Sequence, residues 1–304
     1  MAEYFTVDSG TTNTRISLVR DYKIIDTLKY GVGANQGINC KELIKNTLKC
    51  GINELAKRHK TNVKRILASG MITSEFGLVN LPHITVPAGI GELHSTMYET
   101  VIKDISDIPF VFVRGVKTDG GELENSDMMR GEETELMGIF SGEGVYILPG
   151  SHSKIIKVDR NGRIVDFKTM LTGEMISSLS ENTILKEAVD LGTQNINKEY
   201  LIKGFEYSDN YGINEALFKV RILKNLFYKN PEEIYGFFMG VILCDEIKYI
   251  LSHNPQKIFI GGKTVIKEPE AVLLKAFSEA ETVVVPNDAE NASALGIINI
   301  YEYF

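Results

Sequence analysis

Basic residues are in the minority: 33 Lys and Arg against 40 Asp and Glu leave a formal charge of −7 over 304 residues. A chain without a basic stripe is a poor partner for nucleic acid or an anionic membrane surface. Cysteine is scarce as well. The three present, Cys40, Cys50 and Cys244, are odd in number and lack metal-type spacing, which fits small, reduced, packed thiols in a cytoplasmic setting. Long apolar runs are missing: the longest, Ile234 to Leu243, is interrupted by Gly236 and Gly240 and is too short to span a bilayer. The first residues read as a strand, not as a secretory leader. No Gly-x-x-x-x-Gly-Lys-Ser/Thr, no His-Arg-Asp and no Gly-x-Ser-x-Gly element occurs, so the P-loop, protein-kinase and serine-hydrolase scaffolds drop out. A small anionic ligand held by a few local cations stays allowed.

What is present is the composition of a globular protein, 43% hydrophobic and 24% charged, long enough for two domains of about 150 residues each. Strand-like runs at Tyr4 to Val7, Arg15 to Val19, Ile66 to Ser69 and Phe110 to Val113 interleave with helical patterns at Lys41 to Lys57 and Glu92 to Lys103. Such interleaving predicts an α/β fold. From Gly144 the opening repeats itself: Val145 to Leu148, a polar turn, Ile155 to Val158, the turn Asp159 to Gly162, then Ile164 to Lys168. A hairpin with a polar tip therefore occurs twice, near Gly10 and near Gly150, which predicts two related halves. Helices are expected at Glu133 to Ser141 and Ala289 to Tyr301. In the latter, Ala292, Ala294 and Gly296 would let two helices cross closely, as an interdomain hinge or as a packed terminal helix.

Five segments carry groups capable of chemistry. At Asp8-Ser-Gly-Thr-Thr-Asn-Thr-Arg15, Gly10 allows a tight tip where backbone N–H groups converge on an anion, and Asp8 can hold a hydrated Mg²⁺; the same residue types also build ordinary turns. Met129-Arg-Gly-Glu-Glu-Thr-Glu-Leu136 sets Arg130 and two adjacent acids, Glu132 and Glu133, at a helix start. Those acids can cap the helix, or one can take a proton from an attacking hydroxyl while the Arg holds an anionic substrate group. Pro149-Gly-Ser-His-Ser-Lys154 combines glycine, two hydroxyls, an imidazole and a lysine, which suits a transferring phosphate, with a surface turn as the simpler alternative. Ile258 to Thr264 runs an apolar strand into Gly261 and Gly262, which permit close approach of a flat ligand or only a tight connection. Leu171-Thr-Gly-Glu174 and Ser69-Gly-Met71 follow strands, and Glu174 could accept from sugar hydroxyls or cap a helix.

In this order the Asp8 to Arg15, Met129 to Leu136, Pro149 to Lys154 and Leu171 to Glu174 motifs make the chain resemble the 2-dehydro-3-deoxygalactonokinase family, within the sugar kinase, heat-shock ATPase and actin superfamily. The resemblance runs from about residue 4 to about residue 299 and implies two actin-like (ribonuclease H-like) domains around a central cleft. On this reading, residues 1–140 carry the sugar acid and the first phosphate loop. Residues 141–288 carry the second loop and the adenosine site, and 289–304 a connecting helix that packs back on the first domain. It implies MgATP-dependent phosphorylation of the 6-hydroxyl of 2-dehydro-3-deoxy-D-galactonate, a step of galactonate breakdown, by domain closure and in-line attack. Carried over by residue, Asp8, Gly10, Thr11, Thr12 and Asn13 look like the first phosphate loop, with Asp8 on Mg²⁺ through water. Gly150, Ser151, His152, Ser153 and Lys154 look like the second, and Gly261 and Gly262 like the adenosine contact. Glu132, ahead of Glu133, is the expected base; Arg15 and Arg130 are expected on the substrate carboxylate, Glu174 on its hydroxyls, and Ser69, Gly70 and Met71 beside it. Ser9 departs from the Trp common in the family, and Lys117 to Ser126 is rich in acid and glycine, either of which bears on the acid accepted. Rival readings keep the fold and change the substrate, to another sugar acid or to pantothenate, or make the chain a nucleotide-switched binding protein. No nucleic-acid or membrane partner is expected, and a homo-oligomer is left open.

Overall fold

The computed structural model describes residues 2–34, 40–262, 265–286 and 291–303, and the chain divides into two compact units. The first comprises 1–143, 158–167 and 288–304, the second 144–157 and 168–287. In the first unit, strands β1 (Glu3–Ser9), β2 (Thr14–Arg20) and β3 (Lys23–Tyr30) lead into helix α1 (Cys40–His59) and strand β4 (Ile66–Gly70). There follow β5 (Ile84–Thr85), α2 (Ile90–Ser95), β6 (Tyr98–Thr100), β7 (Phe110–Phe112), β8 (Val116–Asp119), β9 (Ser126–Met129) and α3 (Glu132–Ile139). Strand β10 (Gly144–Leu148), β11 (Ser153–Val158) and β12 (Ile164–Met170) open the second series. Helices α4 (Thr172–Asn182), α5 (Lys198–Tyr211), α6 (Ile213–Asn225) and α7 (Pro231–Ser252) follow, then β13 (Lys257–Ile260), α8 (Lys267–Phe277), β14 (Glu281–Val284) and α9 (Ala292–Tyr301).

The two main sheets share one strand order. The first runs β3-β2-β1-β4-β7-β6 and the second β12-β11-β10-β13-β14, so a hairpin and its third strand stand beside two later strands in each. Strands β1 and β4, β4 and β7, β10 and β13, and β13 and β14 all pair in parallel. The expected repetition of the opening hairpin is thus a repetition of whole sheets. A third, small sheet of order β5-β8-β9 carries the segment before α3.

Alternation along β1 decides which face does what. Phe5 and Val7 join Ile16, Leu18, Ile44 and Leu48 in the first core, and Thr6 and Asp8 are left on the opposite face. In the second unit the core gathers α5 and α7 against β10 and β13. Three glycines make that helix contact close: a Cβ on Gly240 would lie 2.0 Å from the Leu201 carbonyl oxygen, on Gly204 2.1 Å from that of Phe237, and on Gly236 2.5 Å from that of Asn197. The apolar run at 234–243 is therefore a buried core helix, and among the described residues no helix is long and apolar enough to cross a membrane.

One expected element differs. The helix foreseen over Glu92 to Lys103 ends at Ser95, and Tyr98 to Thr100 pair with β7 instead. The Thr96 hydroxyl turns back to the Glu92 and Leu93 carbonyl oxygens at the helix end, and the β-branched and aromatic residues that follow suit an edge strand.

Candidate active site

In the first unit three backbone segments converge where the chemistry-bearing residues stand. The β1–β4 register sets Asp8 opposite Ser69 and Ser9 opposite Gly70. Gly70 has φ +88°, and a Cβ there would meet the Ser9 carbonyl oxygen at 2.4 Å; a Cβ on Gly131, φ +116°, would come within 3.2 Å of Gly70 Cα. Only glycine permits this approach, which brings the N-terminus of α3 against the ends of both strands. Across the hairpin, Arg15 Nη1 donates to Asp8 Oδ2 at 3.0 Å, and the tip closes through Gly10 N–H to the Asn13 carbonyl at 2.8 Å. Thr12 and Asn13 are exposed, and the Asn13 amide donates to Thr12 Oγ1 at 2.9 Å. Burial pushes the Asp8 carboxyl up, the Arg15 charge pulls it back, and the Glu132 charge adds to the push. Glu132 thus acts electrostatically on Asp8. Beneath lies a recess of about 170 Å³ lined by Thr6, Asp8, Arg15, Ser17, Lys29 and Ser293.

The two acids at the start of α3 have different surroundings. Glu133 is wholly buried; its oxygens accept from Gly131 N–H at 3.0 and 2.8 Å and from Thr134 Oγ1 at 3.0 Å, while burial and the Glu132 charge hold its carboxyl up at about 7. Glu132 is half-buried and accepts from Arg130 N–H at 3.0 Å. The Arg130 guanidinium is spent on the scaffold: Nη1 donates to the Thr73 carbonyl and hydroxyl, both at 2.7 Å, and Nη2 to the Leu81 carbonyl at 3.0 Å and His83 Nδ1 at 3.3 Å. Burial with the Arg130 and Lys117 charges lowers His83 to about 4, so its ring is a neutral acceptor near pH 7.

In the second unit, the turn after β10 is built from both sides. Ser151 is exposed and His152 half-exposed, and His152 Nε2 bonds Glu174 Oε1 at 2.9 Å. Ser153 and Lys154 are buried, with Lys154 Nζ reaching the His152 carbonyl at 3.4 Å. The start of α4 presses against this turn: Glu174 N–H donates to the Ser151 carbonyl at 3.1 Å, and a Cβ on Gly173 would lie 2.3 Å from the Gly150 carbonyl oxygen. Gly261 N–H donates to the Ile147 carbonyl at 2.8 Å, and Gly262, φ +71°, backs onto the Pro149 carbonyl at a Cβ distance of 3.0 Å. Both glycine turns of this unit are therefore neighbours.

The profile of the family described as DGOK, 2-keto-3-deoxy-galactonokinase, matches residues 8–300. The chain belongs to this family. It is an ATP-dependent sugar-acid kinase of the actin-like fold. Over 249 residues it is 25% identical to 2-dehydro-3-deoxygalactonokinase of Escherichia coli (strain K12), covering 81% of this chain and 80% of that one. A probable 2-dehydro-3-deoxygalactonokinase of Rhizobium meliloti (strain 1021) is 26% identical over 198 residues, 61% of this chain and 59% of the relative. Among solved structures, a Sinorhizobium meliloti protein described as a 2-dehydro-3-deoxygalactonokinase superposes with a TM-score of 0.77 at 20% identity, over 98% of this chain and 97% of that one. A xylulose kinase from Lactobacillus acidophilus reaches 0.56 at 10% identity, over 99% and 89%. At such identities the structural likenesses speak for the fold alone.

In this kinase the residues expected from sequence fall into two groups. The first unit brings together Asp8, Arg15, Gly70 and Glu132, with Gly131 as the close contact between them, and the second brings together Gly150 to Lys154, Glu174, Gly261 and Gly262. Ser69 is buried and Met71 half-buried. Ser9 is wholly buried with its hydroxyl on Thr14 Oγ1 at 3.0 Å, so the family departure at this position faces inward. Lys263, Thr264 and the start of the helix expected from Ala289 lie outside the described residues. Sequence reasoning missed Thr73, Leu81 and His83 as holders of Arg130. It also missed Glu246, which accepts from Ser153 and Thr172.

Proposed function

We propose that this sugar-acid kinase transfers the γ-phosphoryl group of MgATP to the 6-hydroxyl of 2-dehydro-3-deoxy-D-galactonate, with Glu132 as the base. The observation that supports this most is the setting of Glu132 at the α3 terminus: half-buried, electrostatically felt by Asp8, and flanked by a neighbour whose carboxylate is already committed. The donor set suits Mg²⁺, which keeps most of its waters and asks a protein for one or two carboxylates; Asp8 would hold it through water. That ion would supply charge neutralisation at the phosphates. Gly10 to Asn13 and Gly150 to Ser153 offer backbone N–H groups and hydroxyls to phosphate oxygens, and Lys154 and His152 offset charge as it develops. Glu132 takes the proton from the attacking hydroxyl at its carboxylate. Arg15 and Arg130 favour the sugar-acid carboxylate by charge, although Arg130 does so from a fixed position with most of its donors engaged.

The test is ADP release with MgATP against a panel of sugar acids, the phosphate position being read by mass spectrometry and NMR. Dependence on 2-dehydro-3-deoxygalactonate with phosphate at C6 supports the reading, and activity on a different acid moves the specificity assignment. A positioned base is worth about 10²- to 10⁴-fold, so Glu132→Gln should lower turnover by that factor with ATP affinity kept. Near-normal turnover would remove Glu132 from this role.

A further inference from the structure

Behind the turn at 150–154 lies a line of buried charged groups on α7 and α8. Ser153 is wholly buried and Thr172 nearly so, and their hydroxyls donate to the two oxygens of a single carboxylate, Glu246, each at 2.5 Å. Glu246 is 1% exposed, and Glu270 on α8, 0% exposed, lies near enough for each carboxyl to act on the other. Among the described residues no N–H or hydroxyl donates to either Glu270 oxygen. Lys267, one turn earlier on α8, is the cation that acts on Glu270; its ammonium donates to the Gly262 carbonyl at 3.3 Å and to the Val285 carbonyl.

Two ionised carboxylates close together in a dry interior repel each other, whereas one proton between them replaces the repulsion with a hydrogen bond. The partners decide where that proton sits. Glu246 accepts from two hydroxyls and is the carboxylate; Glu270, offered no donor, is the acid and donates to Glu246. With the Lys267 charge the set is neutral overall, as a buried cluster has to be. We propose that Glu246 and Glu270 work as one singly protonated pair whose carboxylate fixes Ser153 and Thr172, and through them the turn 150–154, in the geometry that receives nucleotide phosphate. This rests on the reading above that the turn is a phosphate site. Lys267 joins Gly262 to the same support, so both glycine turns of the unit hang from one set of buried charges. Glu246 and Glu270 are positioning residues, since their contacts are with the hydroxyls behind the turn.

The experiment is ADP binding by calorimetry at pH 7, together with thermal unfolding from pH 4.5 to 9, for the parent, Glu246→Gln and Glu270→Gln. Glu246→Gln trades a charged acceptor of two hydroxyl bonds for an amide, and its ADP Kd should rise about tenfold or more. Glu270→Gln still donates to Glu246 and should stay within about threefold of the parent. The pH sign follows from burial, which holds Glu270 protonated well above its usual 4.5. The support from that proton is complete below the unfolded value and drains as pH climbs through the folded one. Over this window the parent should therefore lose Tm with rising pH more steeply than Glu270→Gln, which keeps only the slope of other raised carboxyls such as Glu133. Unchanged ADP affinity in Glu246→Gln, or superimposable Tm–pH curves for the parent and Glu270→Gln, would overturn the proposal. A parent that binds neither ADP nor ATP would sink the phosphate reading and the positioning role with it, while the Tm comparison would still decide the shared proton.

Discussion

Replacing Glu133 with Gln should make this kinase more stable at pH 8 and leave it little changed near pH 4.5. In the fold the carboxyl is raised from 4.5 to about 7, chiefly by burial and then by the Glu132 charge. Because the folded value lies above the unfolded one, the protonated form supports the fold. That support is whole below pH 4.5 and is lost as pH rises to about 7. A difference of about 2.5 in pKa corresponds to about 3 kcal/mol. The amide avoids that loss, and the Gly131 contact is already contained in the raised value, so the net gain at pH 8 is about 3 kcal/mol. Urea unfolding of the parent and variant at pH 4.5, 6 and 8 reads this directly, with the two curves diverging only above about pH 5. Turnover should fall less than about tenfold, because the role assigned to Glu133 is to close the helix start and not to move a proton. Parallel pH dependences, or a variant less stable than the parent at pH 8, would refute the argument that this carboxylate is buried at a cost.

Three further outcomes follow from the same geometry. Gly240→Ala would drive a methyl into the Leu201 carbonyl, 2.0 Å away, and should cost about 1–3 kcal/mol, seen as a lowered Tm. Arg15→Met leaves Asp8 without its cation, so the Asp8 carboxyl moves up and the acid limb of kcat/KM for ATP shifts to higher pH. The stability change should stay under about 1 kcal/mol, since the Arg15 side chain is 41% exposed. Arg130→Lys loses the fork that ties Thr73 and Leu81 to α3; stability should drop by about 1–3 kcal/mol and the sugar-acid KM should rise while ADP affinity holds, as steady-state kinetics and calorimetry would show.

Local signals were enough for the hairpins. The alternation Phe5, Val7 against Thr6, Asp8 and the glycine after Ser9 are visible in ten residues, and their recurrence near Gly150 announced the second sheet. The family resemblance then implied roles that spacing alone left open, such as catalysis in place of capping for Glu132, which is here a proposal. Invisible to both were interactions made over distance in the chain. Arg130 meets carbonyls at Thr73 and Leu81, and Ser153 meets Glu246; no periodicity encodes either pairing. Glu246 and Glu270 read as ordinary helix acids because burial is a property of packing, and only α7 and α8 together take them out of water. The helix misread over Glu92 to Lys103 failed for a related reason, since β7 offers Tyr98 to Thr100 a sheet edge that the local pattern does not mention.

Helix α9 has a consequence for the order in which the polypeptide acquires structure during synthesis. A Cβ on Gly296 would lie 1.9 Å from the Thr134 carbonyl oxygen and one on Gly138 2.0 Å from that of Ala292, so α3 and α9 touch backbone to backbone. The Tyr4 hydroxyl reaches Glu302 at 2.7 Å, and its ring meets Tyr301 edge-on. Strand β1 thus waits for helix α9, made long after it, while the second unit, all of it between residues 144 and 287, precedes α9 in the chain. Here the later-made unit can close its core first, against the usual N-terminal-first sequence, and the unit that carries Asp8 and Glu132 matures only once α9 has been made.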